Sequence, residues 1–131
     1  MEAAAITDSR EIRVLIADDH RLFAEALEVI LSGDSRIDVI GRARNGQEAV
    51  ELATRLAPDV ILMDISMPVM DGVEATRQIR SSVPGACVLM LTGSNSRADV
   101  ARCREAGAAG YVTKDRIASE LVDAIIDAAS R

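Results

Sequence analysis

Five short apolar runs recur at nearly even intervals along the chain: IRVLIA (12–17), IDVIG (37–41), VILM (60–63), ACVLML (86–91) and GYV (110–112). The first, third and fourth are almost unbroken rather than alternating, the pattern of strands covered on both faces. Each is followed by a stretch with helical spacing. LFAEALEVIL (22–31) sets Phe23, Ala26, Leu27 and Ile30 on one side. GQEAVELATRL (46–56) does the same with Ala49, Val50, Ala53 and Leu56, and Pro58 ends it. VEATRQIRS (73–81) follows Gly72, and SNSRADVARCREAG (94–107) opens on capping residues and closes on Gly107 as C-cap. IASELVDAIIDAA (117–129) offers Leu121, Val122, Ile125 and Ala129 as a core stripe, with Ile117 and Ile126 off its centre. Strand–helix alternation with short crossovers requires a parallel sheet with helices on both faces, a doubly wound α/β fold.

Such a fold needs a core, and 131 residues with 49% apolar content supply one domain's worth. Phe23 and Tyr111 are the only aromatics, so aliphatic side chains must fill it. A net charge of −6 excludes direct nucleic-acid contact by this domain, since phosphate binding needs a basic face. Cys87 and Cys103 are too few for a disulfide framework or a metal cluster and read as reduced core residues. No run reaches the roughly 18 apolar residues of a membrane span, and no leader pattern opens the chain. A cytoplasmic protein is expected, with residues 1–10 a loose tail before a domain over 11–130.

In doubly wound sheets, chemistry gathers beyond the carboxyl ends of the strands. The residues there are Asp18 and Asp19 after the first run, Asp64 after the third, Thr92 after the fourth and Lys114 after the fifth. Three carboxylates packed together raise one another's pKa unless a cation joins them. An all-oxygen donor set points to a hard ion, Mg²⁺. Thr92 offers a hydroxyl to a phosphoryl oxygen and Lys114, the only lysine beside fourteen arginines, an ammonium. Singly, Asp18 and Asp19 also read as helix caps, Thr92 as a turn residue and Lys114 as a solvated charge. Together they fit phosphoryl transfer onto Asp64. His20 reads as a helix-start residue at the rim.

The stretches IRVLIADDH (12–20), PDVILMDISMPVMDG (58–72), VLMLTGS (88–94) and GAAGYVTKD (107–115) resemble the response-regulator receiver domain of bacterial two-component systems. They are most similar to the subfamily with a LuxR/NarL-like helix-turn-helix output. The resemblance implies a flavodoxin-like (βα)5 three-layer sandwich with strand order 2-1-3-4-5. It implies Asp64 as phosphoacceptor, and Mg²⁺ held by Asp19, by Asp18 through water, by Asp64 and by the backbone carbonyl of Ser66. Thr92 and Lys114 would contact the phosphoryl group, and Tyr111 would turn inward as a switch. Read without the resemblance, Tyr111 is a half-buried strand aromatic.

A histidine kinase would be the donor, a homodimer through the first and last helices a possible assembly, and a DNA-binding output domain beyond Arg131 the effector. Such a domain turns over no separate metabolite. A stand-alone or phosphorylation-independent receiver used as a binding or dimerisation module, and a Mg²⁺-dependent phosphohydrolase that forms an aspartyl phosphate, are the other readings. Val69 stands where many relatives have glycine, and Ser66, Gly93 and Ser94 are small, leaving water an approach to Asp64.

Overall fold

The computed structural model describes residues 11–93 and 96–130. The expected tail at residues 1–10, Ser94 and Arg131 lie outside the described residues. Five strands, β1 (Ile12–Ala17), β2 (Ile37–Ala43), β3 (Val60–Asp64), β4 (Cys87–Thr92) and β5 (Gly110–Thr113), alternate with five α-helices. The helices are α1 (Arg21–Ser32), α2 (Gly46–Leu56), α3 (Gly72–Ser82), α4 (Arg97–Ala106) and α5 (Ile117–Ala129), with a 3₁₀ turn over Lys114–Arg116 before the last. The sheet is parallel in the order β2-β1-β3-β4-β5, so the doubly wound reading holds.

Two cores flank the sheet. α1 and α5 cover one face through Ala24, Leu27, Leu31, Leu121 and Ile125, against Val14, Ile16, Leu62 and Leu91. α2, α3 and α4 cover the other through Ala49, Ala53, Ile79, Cys103 and Ala106, against Leu15, Ile61, Met63 and Met90. β3 is buried at every position, as an unbroken apolar run in the middle of the sheet demands.

The expected stripes on α1 and α5 need correcting. In α1 only Leu27 of the predicted set is buried, beside Ala24 and Leu31, whereas Ala26 is exposed and Ile30 is 38% exposed. This segment is apolar around much of its circumference, so periodicity alone cannot choose a face. Packing on β2 and on the core shared with β1 and α5 makes the choice. In α5 the buried set is Ile117, Leu121, Ile125 and Ala128. Ile117, read as off-centre, is therefore core, and Ala129 is exposed. The helix starts at Ile117 as expected, directly out of the 3₁₀ turn, and that turn delivers its first residue to the buried side.

Helix ends follow their local chemistry. Asn45, Asp71 and Ser96 cap α2, α3 and α4 by accepting from the amides of Glu48, Glu74 and Asp99. Gly107 ends α4 with φ of 100°, a left-handed conformation suited to glycine. His20 stands at the start of α1 as read, although its side chain makes no cap bond.

Val69 is the sharper of two exceptions among the described residues, the other being Ala57 at the C-cap of α2 with φ of 48°. Val69 has φ of 70° although it is β-branched, and it lies at the centre of a tight turn in which the Met70 amide donates to the Pro68 carbonyl at 2.7 Å. Positive φ at a β-branched residue is a strained state. The side chain is 77% exposed, so little packing offsets that strain. Val69→Gly should therefore stabilise the domain by about 1 kcal/mol, the strain relieved less the entropy of glycine. Urea unfolding of the two proteins checks this; an unchanged or lower midpoint for the glycine variant would contradict it.

Candidate functional site

Parallel strands bring their carboxyl ends to one edge, and the predicted residues meet there. Asp64 ends β3 and is 4% exposed, and Asp18, just past β1, is 3% exposed. The Asp18 amide donates to the Ala43 carbonyl at 3.0 Å, fixing the chain as it leaves the sheet. Lys114 reaches in from the 3₁₀ turn, its Nζ 3.4 Å from Asp64 Oδ1 and 3.5 Å from Asp18 Oδ2. Asp18 Oδ1 accepts from the His20 amide at 2.8 Å, and His20 Nδ1 lies 3.3 Å from both Asp18 Oδ1 and Asp19 Oδ1. Ligand atoms of Asp18, Asp19, His20 and Asp64 all fall within 4.8 Å of one another.

Asp64 Oδ2 is buried and has no hydrogen-bond partner among the described residues. Burial pushes the Asp64 carboxyl above its ordinary range, and Asp18 and Asp19 add to the rise while Lys114 opposes it. A buried, partnerless carboxylate oxygen beside two further acids is the donor set a hard divalent cation would complete. The residues thus fit Mg²⁺.

The loop after Asp64 is held by two close approaches. The Gly72 amide donates to the Ile65 carbonyl at 2.8 Å and the Gly46 amide to the Met70 carbonyl at 2.9 Å. A methyl group on Gly72 would overlap the Asp64 carbonyl, and one on Gly46 would overlap the Met70 carbonyl. Neither glycine was singled out in the sequence for this role. Each stands directly after a capping residue, in Asn45-Gly46 and Asp71-Gly72, which is the signal that was there to find.

Thr92 ends β4, buried, one residue past Leu91, the cross-strand partner of Asp64. Tyr111 pairs with Met90 in register and is 41% exposed, so its ring faces outward. Ser66 and Gly93 are exposed, and a side chain at Gly93 would meet nothing within 4 Å among the described residues. Phe23, expected to be a core residue, is only partly buried, and its ring lies 4.4 Å from Lys114 Nζ.

A five-stranded parallel sheet in the order β2-β1-β3-β4-β5, with an acid cluster and a lysine gathered on its carboxyl edge, defines a doubly wound α/β domain whose site lies at the strand ends. The chain belongs to the response regulator receiver domain family, whose profile matches residues 14–126. It is 47% identical over 115 residues to the transcriptional regulatory protein LnrK of Bacillus subtilis, covering 88% of this chain and 52% of that one. It is 38% identical over 118 residues to the transcriptional regulatory protein DegU of Brevibacillus brevis, covering 90% of this chain and 50% of that one. The chain thus spans about half the length of these curated relatives.

Among solved structures, the signal receiver domain of NarL from Mycobacterium tuberculosis superposes with a TM-score of 0.88 at 36% identity, covering 92% of this chain and 98% of that one. A LuxR-family two-component response regulator from Aurantimonas gives 0.87 at 33% identity, covering 92% and 86%. Among the described residues no helix is long and apolar enough to cross a membrane.

The raised Asp64 pKa has a consequence for stability. An acid whose folded pKa exceeds its unfolded value favours the fold below the ordinary carboxylate range, and that contribution is lost as pH rises through the folded pKa. In metal-free buffer, Asp64→Asn should therefore unfold at higher denaturant than the parent at neutral pH, with the difference shrinking toward pH 4, the ordinary range. Denaturation midpoints in a chelator across that range test it; equal midpoints at neutral pH would refute it.

Proposed function

We propose that this receiver domain takes a phosphoryl group onto Asp64 from a histidine kinase and changes its protein contacts in response. The observation that carries the reading is the buried Asp64 carboxylate, one oxygen near the sole lysine and the other without a partner among the described residues. In the transfer, an Asp64 oxygen forms the bond to phosphorus as the bond from phosphorus to the donor nitrogen breaks. Lys114 pairs with a phosphoryl oxygen, and the Thr92 hydroxyl donates to another. Asp19, Asp64 and the Ser66 carbonyl would hold Mg²⁺ directly, and Asp18 through water. When bound, that ion neutralises charge on the phosphoryl oxygens. The turnover of a separate metabolite forms no part of this reading.

The gain of charge and acceptor oxygens at Asp64 would draw Thr92 toward the site, and the Tyr111 ring would fill the space vacated. Leu22 and Val29 on α1, 80% and 73% exposed, support a symmetric pairing through α1 and α5, which lie together on one face of the sheet. Ile126 is half-buried and remains a candidate for that surface, whereas Ile117 is not. In the longer protein that the half-length matches suggest, control of transcription would pass to a DNA-binding output domain in the cytoplasm.

Incubation with Mg²⁺ and acetyl phosphate should add one phosphoryl group by intact mass, and Asp64→Asn should abolish the gain. Equal labelling of both proteins would overturn the assignment. Mg²⁺ at ten times its Kd should also stabilise the unphosphorylated parent by about 1.4 kcal/mol, and Asp19→Ala should remove most of that.

The exposed Ser66 and Gly93 set a further expectation: a phosphoryl lifetime of minutes rather than many hours. Ser66→Lys should lengthen it, and an unchanged decay rate would count against water access past these residues. Phosphorylation should shift sedimentation toward a dimer that Leu22→Glu or Ile126→Glu disrupts. A phosphorylated protein that remains monomeric at high concentration would exclude the pairing.

A further inference from the structure

We propose that Phe23 is a positioning residue for Lys114, its ring forming the third wall of a cage around the ammonium; this rests on Asp64 as the acceptor. The chain has one lysine and one phenylalanine, and the fold brings them together from the 3₁₀ turn after β5 and the first turn of α1. Nζ lies 4.4 Å from the ring centroid, well inside the range of a cation–π contact. Its two carboxylate partners are at 3.4 and 3.5 Å, long for charged hydrogen bonds, and the lysine side chain is 26% exposed. Two long contacts leave a four-carbon stem under-constrained. The ring supplies what they lack.

The geometry has a use in transfer. Asp64 Oδ1 faces Lys114 before the reaction, and the ammonium must exchange part of that contact for a phosphoryl oxygen afterwards. Hydrogen bonds are directional and break during such a shift. Attraction to a ring face is broad, so the ammonium keeps a partner while it moves. Phe23 also touches the core beneath α1, which gives the ring a fixed base.

Because the chain has a single phenylalanine and a single lysine, each can be altered or labelled at one position by supplying the modified amino acid during expression. Mono-, tri- and pentafluorinated phenylalanine weaken the negative face of the ring stepwise while keeping it apolar. The rate of Asp64 labelling by acetyl phosphate should fall along the series, by roughly five-fold at the pentafluoro ring. In ¹³C/¹⁵N-lysine protein, mobility of the Lys114 ammonium should rise in the same order. A ring that only packs predicts no trend, with labelling and Lys114 mobility constant along the series and thermal stability unchanged or higher. That result would overturn the proposal.

Phe23→Leu guards against an effect of fluorine itself. It should slow labelling and free the ammonium, and a Lys114 signal indifferent to this change would likewise reject the cage. If the unsubstituted protein takes no phosphoryl group on Asp64, the functional reading fails, and the Lys114 mobility arm still decides the ring contact.

Discussion

Three carboxylates share one edge of the sheet with a single ammonium, and much of the rest of the molecule is arranged around that imbalance. Asp18 and Asp64 are almost wholly buried, so water cannot screen them well. Lys114 answers both at once but leaves Asp64 Oδ2 without a partner among the described residues. A domain that served stability alone would replace one of these acids with an apolar residue. Keeping them at a cost in fold stability fits the proposed function, in which a divalent cation and a phosphoryl group would complete the charge balance.

That arrangement depends on the backbone around it as much as on the charges. Parallel pairing delivers the ends of β1, β3 and β4 to one edge, and the β5 turn brings Lys114 across. The two glycine approaches press the loop after Asp64 against the start of α2 and the first turn of α3. Asp71 caps α3 from within the same loop and lies 3.9 Å from Arg102 on α4. A change of charge at Asp64 is therefore one peptide away from a helix start and a short step from the next helix.

Much of this was legible in the sequence. The continuous apolar runs gave the strands to within a residue or two, because a strand buried on both faces has no polar positions to blur its ends. The site residues were legible as a set, since a parallel sheet dictates where strand ends go. The buried faces of α1 and α5 were not. Leu22, Ala26, Val29 and Ile30 widen the apolar side of α1, and only packing in three dimensions, on the sheet and the core shared with α5, decides which part of it turns in. Nor was the ring over Lys114, for contact between residues so far apart in the chain belongs to tertiary packing. The turn at Val69 was marked by an unexpected residue type, but its left-handed backbone became visible only in three dimensions.

Tyr111 gives the domain a property that none of its charges does. The chain has no tryptophan and this one tyrosine, and the ring lies half in solvent on the edge strand β5, beside Val100, Cys103 and Arg104 of α4. Phenylalanine absorbs too weakly to compete, so the near-ultraviolet spectrum of the folded protein comes from a single position. Any rearrangement of that edge changes the surroundings of the only strong chromophore present. The domain carries its own optical reporter, at the place where α4 meets the last strand, with no label attached.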